Sequence, residues 1–215
     1  MRTSSPMNRF DRFINALTRA QVSDRACNQY ARGDRANAIR RRNLQLYLEQ
    51  IGKPRMLLVG EAPSYGGGRL TGIAFTSESI MMKLLGEHRG FRKATPGAKL
   101  STEASATMVW ATIKHIDPLP LLWNAFPFHP FTTGNPFSNR IPTAGELQTG
   151  APFLESLLQL FPIERVVAIG NFAERSLTRL GIGHTKVRHP SQGGKKKFVE
   201  GVLRLAADSR HLDLR

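Results

Sequence analysis

Leu57-Leu58-Val59-Gly60-Glu61-Ala62-Pro63-Ser64-Tyr65-Gly66-Gly67-Gly68 is the stretch on which the fold turns. An apolar run of strand length stops at a glycine, a carboxylate and a proline, and three glycines follow. A short Leu/Val run bounded in this way reads as a buried strand. The glycines allow close approach of backbone to a ligand. A carboxylate just past the carboxyl end of a buried strand lies where open α/β sheets bind ligands. Such a site needs polar partners at other strand ends, and Asn124 and His189 hold such positions.

The flanking chain supplies the rest of an α/β pattern. Residues 9–20 read as a short helix. Ala36, Ile39, Asn43, Leu44, Tyr47, Leu48 and Ile51 recur at helical spacing until Gly52 and Pro54 end the run. Arg40, Arg41 and Arg42 inside it form either a solvated face or a phosphate contact. The first strand covers 56–59. Thr76 or Ser77 caps a helix through Ile80, Met81, Leu84 and Leu85. Residues 90–101 are basic and irregular, and 104–115 are helical. A second strand spans 118–123, its prolines placing it at a strand start or a sheet edge. The stretch 124–142 holds four prolines and three asparagines, a long loop of the kind that carries function. An amphipathic helix (144–161), a third strand (165–169), a helix (171–180), a fourth strand (185–188) and a final helix follow. Strand alternating with helix predicts one parallel sheet with helices on both faces. The whole chain, 1–215, reads as a single domain with N-terminal helices over 7–52 and disorder over 1–6.

Composition narrows the function classes. The chain has 215 residues and a formal net charge of +15, which points to a polyanion, nucleic acid ahead of an acidic membrane. No apolar run reaches bilayer length. The N-terminus lacks the apolar core and cleavage site of a signal peptide. The one cysteine, Cys27, excludes an internal disulfide and a four-cysteine cluster, and fits a reducing cytoplasm. The histidines show no metal spacing with it, so no metal and no cofactor are expected. Gly66, Gly68 and Gly72 miss the dinucleotide fingerprint, and no Gly-Lys-Ser/Thr follows them. Ala62-Pro63-Ser64-Tyr65-Gly66 half-matches a nucleophile elbow, with Ser64, Asp117 and His189 in hydrolase order. That reading leaves the charge unexplained.

Glu61, Phe75, Asn124 and His189 make a more coherent set, since three of them follow strand ends and converge on one crevice. Phe75 offers a stacking face for a base. The Asn124 carboxamide donates to one edge atom and accepts from its neighbour, as uracil's O4 and N3–H require and cytosine's reversed pattern does not. His189 can donate to O2 as charge grows there. Glu61 can hold a water and stabilise a cationic sugar. Gly66 to Gly68, and Gln192 to Lys197, fall beside the phosphates.

With these residues in place, the sequence resembles the uracil-DNA glycosylase superfamily. The matching pieces are Gly60-Glu61-Ala62-Pro63, Gly72-Ile73-Ala74-Phe75, Trp123-Asn124-Ala125 and His189-Pro190-Ser191, in family order over about 55–207. The resemblance implies a four-stranded parallel sheet in an α/β/α sandwich. It implies hydrolysis of the N-glycosidic bond of a flipped uracil without a cofactor, on double- or single-stranded DNA. A compact DNA enzyme of this size is expected to be a monomer. The resemblance assigns catalysis to Glu61 and His189, and base contact to Gly60, Ala62, Tyr65, Phe75 and Asn124. DNA contact falls to Pro63, Ser64, Gly66, Ser191, Gln192, Gly193, Lys195 and Lys196. The chain also departs from the family pattern. Ala62 stands where the best-known branch has aspartate, so Glu61 takes the water-handling role or the role is diffuse. Ser64 stands where that branch has the tyrosine that rejects thymine, leaving Tyr65 as the candidate. Gln192 occupies the place of an apolar wedge. A glycosylase for another deaminated base, and a non-catalytic binder of damaged or single-stranded DNA, are the competing readings.

Overall fold

The protein is described by a computed structural model covering residues 8–210, so the disorder expected over 1–6 lies outside the described residues. Helix α1 (Arg9–Arg19) opens on a capping box between Asn8 and Asp11. A two-residue strand β1 (Ala26–Cys27) and helix α2 (Arg35–Gln50) follow, the latter capped by Asp34. Strand β2 (Met56–Gly60) leads into the single turn α3 (Gly68–Thr71). Ser77 then caps α4 (Glu78–Ile80), which a π turn, Met81–Leu85, extends. Next come α5 (Ala104–Ile113), β3 (Leu121–Asn124), β4 (His129–Pro130) and α6 (Ala144–Leu160). The chain closes with β5 (Arg165–Ile169), α7 (Gly170–Arg179), β6 (Thr185–Val187) and α8 (Lys195–Arg210).

β2, β3, β5 and β6 form one parallel sheet in the order β3-β2-β5-β6. Successive side chains of a strand face opposite sides, and every residue of β2 is buried, so both faces of the sheet are covered. Leu57, Leu58, Val59, Leu121, Leu122, Val167 and Ala168 make this centre. The result is the α/β arrangement that the alternating pattern predicts. β3 begins at Leu121 rather than at 118, because Pro118 and Pro120 have no N–H to give a ladder. The prolines thus mark the strand start, and β3 also takes the sheet edge.

The strand order fixes where a ligand can sit. From β2 the chain runs outward to β3, and from β5 it runs the opposite way to β6. Between the carboxyl ends of β2 and β5 the connections diverge, which opens a crevice there. Gly60 pairs with Asn124 at the end of the β2–β3 ladder. The pairing continues past it, with Ala125 N–H donating to Gly60 O (2.9 Å) and Phe126 N–H to Glu61 O (3.0 Å).

One element escapes the sequence pattern. β1 and β4 form an antiparallel ribbon, Ala26 opposite Pro130 and Cys27 opposite His129. Two residues a side are too few to show a period. The ribbon ties the N-terminal segment to the long loop after β3. Among the described residues no helix is long and apolar enough to cross a membrane.

Candidate active site

A cavity of about 720 Å³ opens at the carboxyl ends of the parallel strands. Gly60, Glu61, Ala62, Pro63 and Ser64 line it after β2, Asn124 after β3, Gly170 and Asn171 after β5, and His189, Ser191 and Gln192 after β6. Phe75 lines it from the segment between α3 and α4. The four residues that sequence spacing singles out, Glu61, Phe75, Asn124 and His189, therefore share one cavity.

Phe75 and Asn124 meet over Gly60. A Cβ at Gly60 would collide with the Phe75 ring and fall 2.6 Å from Asn124 Oδ1. Only glycine lets the aromatic face and the carboxamide come this close. Asn124 is 4% exposed, and no hydrogen bond ties its carboxamide to another described residue. Its donor and acceptor are open to a ligand's edge. Phe75 sits at φ 51°, a left-handed conformation that costs a non-glycine residue on the order of 1–2 kcal/mol. Its neighbours hold it there. Thr71 Oγ1 donates to Thr76 O (2.7 Å) and lies 3.2 Å from Ile73 O; Trp110 Nε1 donates to Thr76 Oγ1 (3.0 Å). Tyr30 OH donates to Gly72 O and Asn43 Nδ2 to Thr71 O. Strain maintained by so many contacts at a cavity wall is what a positioned binding group requires.

Burial pushes the Glu61 carboxyl up to about 7, from an ordinary value near 4.5. Its backbone is fixed by the bond from Phe126, so the carboxyl is presented on a rigid edge. His189 is shifted the other way, its pKa lowered by burial and then by the neighbouring Arg188 charge, which keeps the ring neutral at pH 7. Ser191 N–H lies 3.2 Å from His189 Nδ1, and Ser191 Oγ lies 2.7 Å away. A backbone N–H only donates, so Nδ1 is the acceptor, and the partners place the ring proton on Nε2. Gly170, at φ +86°, packs its Cα against His189: an added Cβ would lie 2.9 Å from His189 Cβ. The loop after β5 thereby sets the position of the imidazole after β6.

The long loop forms part of the wall through Asn139, Arg140 and Ile141. Arg140 forks onto Glu146, Nη1 to Oε2 at 2.7 Å and Nη2 to Oε1 at 2.6 Å. It also donates to Phe131 O and Arg25 O. Burial opposes ionisation of Glu146. Hydrogen bonds from Arg140, Ser23 and Thr143, with the Arg140 charge, outweigh it and hold the carboxyl at about 2. His129 is buried and donates from Nδ1 to Pro63 O (2.9 Å), and Gln29 Nε2 donates to Pro127 O.

Five expected contact residues lie outside the lining: Tyr65, Gly66, Gly193, Lys195 and Lys196. Tyr65 stands behind the wall. Its N–H donates to Asn139 Oδ1 (2.8 Å) and its ring meets Phe137 edge-on, 5.0 Å between centroids. Lys195 and Lys196 are exposed at the start of α8. Sequence reasoning missed Glu103, Asn171, Phe172 and Arg188, which all reach the cavity. Asn171 and Phe172 follow β5 as Glu61 follows β2, so the strand-end rule applies to them equally. Glu103 carries no such signal, being the N-cap residue of a helix whose strand lies elsewhere. No group of three or more metal-ligating side chains gathers among the described residues.

The fold and the position of the cavity define the class: an α/β protein with a parallel sheet and a ligand-sized cavity at the switch point of its strands. The chain belongs to the uracil DNA glycosylase superfamily, which it matches over residues 48–205. Among solved structures, wild-type SMUG2 of Pedobacter heparinus shares the fold, with a TM-score of 0.64 at 14% sequence identity, covering 98% of this chain and 100% of that one. Comparison with curated protein sequences gave no match. Family and fold together support a DNA glycosylase.

Proposed function

We propose that the protein is a monofunctional uracil-DNA glycosylase that removes uracil flipped out of DNA and leaves an abasic site. The observation that carries this reading is the convergence of Glu61, Phe75, Asn124 and His189 on one cavity. The flipped base stacks on Phe75. Asn124 Nδ2 donates to O4 and Oδ1 accepts from N3–H, an edge that cytosine presents with the opposite polarity. As the C1′–N1 bond breaks, its electron pair goes to N1 and the negative charge spreads to O2. His189 Nε2–H donates to O2 at that moment, in the tautomer that Ser191 selects. A water adds its oxygen to C1′ and gives its proton to Glu61, whose carboxylate also stabilises the cationic sugar.

Ser64, Ser191 and Gln192, which line the cavity, contact the flanking phosphates, with Lys195 and Lys196 farther along the strand. Incubation with a uracil-containing oligonucleotide followed by alkali tests the reading. Strand cleavage at the uracil is expected, and an intact strand at enzyme excess, with single- and double-stranded DNA alike, would refute it. One observation favours a second reading. Tyr65 does not line the cavity, its ring packing on Phe137 instead, so it does not narrow the space for a larger deaminated base. Release of a deaminated purine but not uracil from a panel of modified oligonucleotides would select that alternative.

A further inference from the structure

The arginine triplet of α2 divides among three environments. Arg41 Nη1 donates to Tyr30 O and Ala31 O, and Arg42 reaches Glu49 at the surface. Arg40 instead crosses to α3. Its Nε donates to Leu70 O (3.2 Å) and its Nη1 to Asn37 Oδ1. The residue before Leu70 is a second arginine, Arg69. Gly72, at φ +81°, lets α3 pack on the α2 backbone, since a Cβ there would lie 2.5 Å from Arg40 O. Arg69 N–H donates to Ser64 O (3.3 Å), and its guanidinium lies over the Tyr65 ring, 4.8 Å from the centroid. Neither Arg40 nor Arg69 lines the cavity.

The two guanidinium groups lack a counter-charge. Among the described residues neither forms an ion pair with a carboxylate. The carboxylates whose charge reaches Arg40, Asp34 and Glu78, are already engaged. Asp34 accepts from Ala36 N–H, and Glu78 accepts from Thr95 and Ser101. Arg69 Nε is buried and has no acceptor. Burial lowers the pKa of Arg40, and the Arg69 charge lowers it further. Half-buried like charges with an orphaned donor are costly unless an anion completes the group. Two guanidinium forks on separate helices suit the tetrahedral oxygens of a phosphate, and a chain of net charge +15 draws polyanions.

We propose that Arg40 and Arg69 together bind a phosphate group at a site outside the cavity. Arg40 lies before residue 48, so half of this site stands outside the family match. Binding there holds whichever base the cavity takes. The phosphate has two sources, the DNA backbone and a small free phosphate, and measurements that need no catalysis separate them.

In the first arm, inorganic phosphate is titrated into the full chain at constant ionic strength. The melting temperature should rise saturably, by about 3 °C, with no rise in chloride. Arg69→Gln gives up only its charge and a ring contact, so it should fold and lose the rise. In the second arm, affinity for a uracil-free duplex is measured against salt. If the site takes the DNA backbone, Arg69→Gln should lower the slope of log K against log salt by about 0.9 for the one phosphate lost. Arg69→Lys keeps the charge without the fork and should recover only part of the affinity. A rise with phosphate and an unchanged slope assigns the site to a small phosphate ligand, and a reduced slope without the rise assigns it to the backbone alone. Neither effect, a rise identical in wild type and Arg69→Gln, or an Arg69→Lys variant indistinguishable from wild type in both arms, overturns the proposal.

Discussion

At the residue scale, two shifted ionisations divide the work of the candidate site. A carboxyl raised to about 7 by burial changes charge across the neutral range. It is neutral below that value and ionised above it, so a rate that needs the carboxylate should rise through pH 7 and level off above. Single-turnover release measured from pH 5.5 to 8.5 should follow this curve for the wild type and lose the inflection in Glu61→Gln. His189 is lowered by burial and by the Arg188 charge, which favours the neutral ring, so it is expected to contribute an N–H rather than a charge near neutral pH. Replacing it with alanine should slow release by roughly two orders of magnitude, the usual effect of removing one preorganised donor. An unchanged single-turnover rate would show that O2 is stabilised by something else. These residues were legible because each follows a strand, or a glycine-bounded segment, and has the chemistry a base edge needs. The raised carboxyl was not legible, since the burial responsible comes from chain segments far apart in sequence.

At the scale of elements, the wall formed by 131–142 depends on one buried ion pair. Glu146 at the start of α6 forms a capping box with Thr143. Its grip on Arg140 was not readable, because a helix pattern does not show which loop folds back on its first turn. The Arg140 fork also meets carbonyls of Arg25 and Phe131, so breaking the pair leaves a half-buried guanidinium short of its counter-charge. Glu146→Ala should lower stability by about 3 kcal/mol or more, measured by denaturant unfolding. Because the Glu146 carboxyl is held at about 2 against an ordinary 4.5, its contribution is fully present above 4.5. It is lost as pH falls through about 2, and this acid-induced loss should be absent in the variant. The β1–β4 ribbon escaped detection for a related reason: its pairing is read only in three dimensions.

At the scale of the whole molecule, the sheet order could be anticipated in kind but not in register. Alternating strands and helices predicted a parallel sheet, and the prolines before Leu121 predicted a strand start or an edge, both of which β3 shows. That Gly60 faces Asn124, the contact that joins the aromatic and the carboxamide, emerged only from the pairing itself. The +15 charge acts at this scale too. DNA affinity should fall steeply and linearly on a plot of log K against log salt, with a slope of about −0.9 for each phosphate neutralised on duplex DNA. A flat plot would separate the charge from DNA binding.

The family match begins at residue 48, yet the segment before it supplies much of what the cavity leans on. Gln29 holds the turn after Asn124, Tyr30 the segment before Phe75, and Ser23 and Arg25 the Glu146–Arg140 anchor. The segment before the family match is therefore structural support for the cavity. Trimming the gene to residue 48 would keep the sheet and remove the supports of the cavity's edge. Grafting this sheet onto another scaffold would need those first residues as well.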